Sequence, residues 1–159
     1  MQRKIILLLE EYGESHNNST NKIIHWICVP AIFWSIIALL HSIPNELFTK
    51  FIGVNDFASW ASLALLCIFI YYLTLSVYLA IGMTIFGSFC IFLCVSIENT
   101  FQLSLPVIAI VVFALAWLGQ FYGHYIEGKK PSFIKDLQFL LIGPAWLLHF
   151  IYKKIGLKY

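Results

Sequence analysis

Four histidines, His16, His25, His124 and His149, stand at polar breaks or at the ends of apolar runs in a chain otherwise poor in ionisable groups. Neutral imidazole is the commonest side-chain ligand for transition metals, so such a set points to a metal site. His25 follows Asn21 by four residues, a spacing that puts both on one helix face and lets Asn21 orient the ring. His16 and His25 are nine residues apart and would fall on opposite faces of an unbroken helix. The run Asn17-Asn18-Ser19-Thr20-Asn21 between them is rich in residues that cap helices and make turns, and a break there lets both rings point inward. His124 lies in Gly123-His124-Tyr125-Ile126-Glu127-Gly128-Lys129-Lys130-Pro131, where Glu127 shares its face. Glu127 reads as a ligand or a partner that orients one, or as an interfacial carboxylate paired with Lys129 or Lys130, and the ion pair is the preferred expectation. His16, His25 and His124 are the expected ligands, with His149 as the fourth candidate.

The scaffold that must position them is written in the composition. The 159 residues are 60% hydrophobic and 11% charged, against about 45–50% apolar and about 25% charged in soluble domains. An all-α integral membrane helical bundle is expected, forming a single catalytic domain over residues 1–159. Residues 2–15 suit a short interfacial amphipathic helix with Ile5, Leu8 and Leu9 on one side. Glu10, Glu11 and Glu14 follow those apolar residues too soon for a cleaved secretory leader. Spans are expected over residues 23–40, kinked at Pro30, then twice within 57–97 with a reversal near 71–76, and over 103–122. The last apolar segment, 137–152, is interrupted by Gly143-Pro144 and reads as re-entrant or interfacial.

Four crossings place nine of the ten basic residues on one side with only Lys50 opposite, the asymmetry that marks a cytoplasmic face, so both termini are expected there. His16, His25, His124 and His149 then share that face. His41 lies 16 residues from His25, about 24 Å along a helix, and cannot join them. Trp26, Trp117 and Trp146 fit an aromatic belt at the same interface. Cys28, Cys67, Cys90 and Cys94 fall inside apolar runs and read as packing residues. A net charge of +2 without basic clustering gives no footprint for nucleic acid.

The pattern Tyr12-x3-His16, Asn21-x3-His25 with Pro30 beyond, Trp117-x2-Gln120-Phe121-x-Gly123-His124-x2-Glu127-x2-Lys130-Pro131, and Gly143-Pro144 resembles the DUF962, or Mpo1-like, family over almost the whole chain. The resemblance implies an Fe(II)-dependent dioxygenase of fatty-acid α-oxidation, which converts a long-chain 2-hydroxy fatty acid and O2 into the acid one carbon shorter. It implies catalytic roles for His16, His25 and His124 as iron ligands. His149 stands where many members carry an acidic residue. Three protein ligands on a six-coordinate ion leave room for the hydroxyl, the carboxylate and O2, whereas four leave two positions, so His149 is expected as a weak fourth ligand or a proton-handling neighbour. Lys22, Lys129 or Lys130 would pair with the substrate carboxylate. Membrane lipid would surround the acyl tail, since each buried methylene is worth about 0.8 kcal/mol. The membrane is a bacterial inner membrane or the endoplasmic reticulum, and a homo-oligomer is left open. Zinc in the same histidines would give a lipid hydrolase, and two axial histidines a non-enzymatic haem protein.

Overall fold

A computed structural model describes residues 4–14, 16–53, 55–101, 104–128 and 139–157. Among these the chain is all-helical, with no strand: α1 (Lys4–Gly13), α2 (Ser19–His41), α3 (Glu46–Ile52), α4 (Trp60–Leu73), α5 (Val77–Thr100), α6 (Leu105–Glu127) and α7 (Ile142–Lys154). Helices α2, α5 and α6 are apolar and 23, 24 and 23 residues long, about 35 Å each, enough to cross a hydrocarbon layer of about 30 Å. Helix α4 is apolar but has 14 residues, about 21 Å, so among the described residues three helices rather than four meet the length for a membrane span.

Polar ties fix the direction of each helix. At one end His41 of α2 meets Ser59, just before α4, and Glu98 near the end of α5. At the other end the Tyr72 hydroxyl of α4 donates to the Leu141 carbonyl, and the Tyr152 hydroxyl of α7 donates to the Tyr78 carbonyl of α5. Helices α2, α4 and α5 therefore alternate in direction, and Glu127 at the end of α6 accepts from Asn17 N just before α2, so α6 ends where α2 begins. The reversal between α4 and α5 falls at residues 74–76, within the expected stretch.

Helix α2 is the hub, packing on α4, α5, α6 and α7, and its contact with α6 is the most extensive. Small residues allow this. A Cβ on Gly119 would come within 2.6 Å of Cys28 Sγ, and one on Gly123 would overlap Asn21 Oδ1. Gly119-x3-Gly123 is thus a small-residue seam that brings the two backbones together. The helical pattern of α2 continues through Pro30.

Three local expectations change. Helix α1 buries Ile5, Leu9 and Tyr12, not an Ile5, Leu8 and Leu9 stripe, because that face docks on α7; Leu8 is half-buried and Ile6 and Leu7 are exposed. Gly143-Pro144 lies in the first turn of α7 rather than in a helix interior, with residues 139–141 before it in a turn, and there the N–H that proline lacks has no intrahelical partner in any case. Trp117 and Trp146 are buried in the bundle, and Trp26 alone of the three remains exposed as a belt residue would.

Candidate metal centre

The α1–α2 turn, the first turns of α2 and the last turn of α6 meet at one end of the bundle. Asn18 starts α2 as its N-cap, its side chain accepting from Thr20 N at 2.8 Å and Asn21 N at 3.3 Å. That cap fixes where the chain leaves the turn, and so sets His16 before the helix and His25 within it. His16, His25 and His124 are each at least 95% buried and offer one ring nitrogen apiece within 4.8 Å of one another. Their ring centroids are 4.2, 5.2 and 5.6 Å apart.

The outer hydrogen bonds set the chemistry of two of these rings. His16 Nδ1 lies 2.7 Å from the Tyr12 carbonyl and His25 Nδ1 lies 3.0 Å from the Asn21 carbonyl. A carbonyl can only accept, so Nδ1 donates in both and Nε2 carries the lone pair, the tautomer in which a histidine ligates a metal. The Tyr12 ring stacks on His16 at 4.4 Å and 16°, and Trp146 packs 5.2 Å from it, which restrains the imidazole further. A convergent set of neutral nitrogen donors fits a transition-metal cation and leaves coordination positions for other molecules.

Glu127 ties the two halves of the site together. Its Oε1 accepts from Asn17 N at 2.8 Å, and its Oε2 accepts from Asn18 N at 2.9 Å and Asn21 Nδ2 at 3.0 Å. The carboxylate of the helix that carries His124 therefore closes on the turn that carries His16 and on the start of the helix that carries His25. The anion also sits where exposed N–H groups and the α2 dipole favour negative charge. Its described partners are these amides. Lys129 and Lys130, the expected ion-pair partners, lie outside the described residues. Asn21 holds His25 as expected, through its backbone carbonyl, while its side-chain amide donates to Glu127.

His149 lies apart from the triad. It is half-buried on α7 in a groove with Ile6, Glu10, Trp146 and Phe150. On α7, Trp146 reaches the imidazoles. Burial, and then the charge of Lys153, push the His149 imidazole below its ordinary pKa. His41 is at the opposite end, as its distance along α2 requires. The spacing arguments did not single out Gly119 and Gly123 as a packing seam or Trp146 as a wall of the site. The small-x3-small pattern in the sequence was the available signal for the seam.

No curated protein and no solved structure matches the chain. A family model described as 2-hydroxy-palmitic acid dioxygenase Mpo1-like matches residues 5–155, a span that takes in all three converging histidines, Glu127 and Trp146. The chain belongs to the Mpo1-like family.

Proposed function

We propose that this protein is an Fe(II)-dependent dioxygenase that shortens a long-chain 2-hydroxy fatty acid by one carbon. The convergence of His16, His25 and His124 within 4.8 Å carries the reading, together with the family name. His16, His25 and His124 would hold the metal, which when bound supplies a docking point for the hydroxy-acid head and a means of activating O2. The reaction balances without an outside reductant: RCH(OH)COOH and O2 give RCOOH, CO2 and H2O, with the C1–C2 bond broken and O2 reduced by four electrons.

The chain's own residues have definable tasks. Tyr12 and Asn21 carbonyls keep Nδ1 protonated and the ligating nitrogens turned to the donor form. Glu127 keeps the two ligand-bearing segments in register. Tyr12 and Trp146 shield His16 from water. Lys22 near the site, with Lys129 and Lys130 in the following segment, would meet the substrate carboxylate. The acyl tail would stay in lipid or against the apolar outer faces of α2 and α6, where each methylene kept from water is worth about 0.8 kcal/mol. Four crossings, with α4 as a short one, would put this end of the bundle and both termini on the cytoplasmic side.

Anaerobically purified protein supplied with Fe(II), O2 and 2-hydroxypalmitate should release the fifteen-carbon acid and CO2. Equal turnover with Zn(II), or none with Fe(II), contradicts the proposal.

A further inference from the structure

One cavity lies a helical turn deeper in the bundle than the three imidazoles. On α2, Val29 and Ile32 follow His25 by four and seven residues, and on α6, Gln120 and Trp117 precede His124 by the same steps. Each helix thus carries one face past the triad and into the cavity wall. Tyr12 and Gly143 close it from α1 and α7. Tyr12 is common to both places, since its ring stacks on His16 at 4.4 Å.

The volume, about 30 Å³, decides what can occupy it. A benzene-sized guest takes a cavity of about 150 Å³, whereas one water-sized particle needs only about 10–15 Å³. A long acyl tail is therefore excluded, and a diatomic molecule fits. The wall is mostly aliphatic and aromatic, and its side-chain polar groups are the Gln120 amide, the Tyr12 hydroxyl and the Trp117 indole N–H. We propose that this cavity holds the O2 consumed at the triad, so that a nonpolar gas enters from the apolar side of the bundle while the fatty acid approaches by another route. This rests on the dioxygenase reading above.

Xenon is an apolar probe that enters such cavities without reacting. Its binding to the purified protein can be followed by xenon NMR, and the KM for O2 by turnover of 2-hydroxypalmitate. Val29→Ile adds one methyl to the wall. Gly143→Ala adds another, its Cβ within 3.1 Å of the Tyr12 hydroxyl and of Val29 Cγ1. Wild type and the enlarged Val29→Ala variant should bind xenon, and both plugged variants should lose it. The plugged variants should also show a KM for O2 raised about fivefold or more, a kcat at saturating O2 that falls less than the KM rises, and an unchanged KM for the fatty acid. Normal turnover without xenon binding, or plugged variants with an unchanged KM for O2, overturns the cavity's role and leaves the dioxygenase reading standing. Xenon binding without turnover of any 2-hydroxy acid overturns the dioxygenase reading, and with it the role of the cavity.

Discussion

At one end of the bundle His41 engages a side chain through each ring nitrogen, with Nδ1 3.0 Å from Ser59 Oγ and Nε2 3.4 Å from Glu98. At the other end His16 and His25 commit Nδ1 to backbone carbonyls and keep Nε2 as a donor atom beside His124. The two ends share a residue type and differ in where the second nitrogen points. His41 pins α2 to the start of α4 and the end of α5. The buried imidazoles are held in place by the backbone, and their donor capacity is aimed at one point. A histidine marks a site when the fold holds its outer nitrogen and turns its inner one toward other ligand-type side chains.

The comparison predicts unequal costs for equal truncations. The largest loss is expected for His16→Ala, His25→Ala or His124→Ala, about a thousandfold or more in turnover of 2-hydroxypalmitate measured by release of the shortened acid. Glu127→Gln keeps the shape but replaces the anion that three amide donors approach. Partners that orient metal ligands are commonly worth about 10–100-fold, so a drop of that size in Fe(II) affinity, by titration against a competing chelator, is expected. Gly123→Ala forces a methyl into the Asn21 side chain. Overpacking of this kind costs about 1–3 kcal/mol, to be read as a lower unfolding midpoint in detergent. His41→Ala and His149→Ala should do least: His41→Ala costs up to about 1 kcal/mol of stability by the same assay, and both keep turnover within about threefold of wild type. A thousandfold effect of His41→Ala would erase the distinction between the two ends.

Much of this is legible in the sequence. Apolar runs without charges can only be helices in a bundle of this composition, and the polar island at residues 16–21 has no reason to exist inside one unless a turn or a site needs it. The convergence of His16, His25 and His124 followed from that turn. What periodicity could not reach were relations between segments far apart in sequence. Nothing in residues 2–15 says that Tyr12 rather than Leu8 faces the protein, because that depends on where α7 docks. The position of Trp146, and the exclusion of His149 from the triad, follow from the same docking. The role of Glu127 was hidden for another reason. Lys129 and Lys130 are its neighbours in the chain, whereas the amides it accepts from lie more than a hundred residues away.

The central claim is tested most directly by metal content. Protein purified without oxygen and reconstituted with Fe(II) should bind about one iron per chain, in wild type and equally in His41→Ala and His149→Ala, and should lose it in His25→Ala while that variant keeps its helical circular dichroism. A full complement of iron in folded His25→Ala would contradict the account.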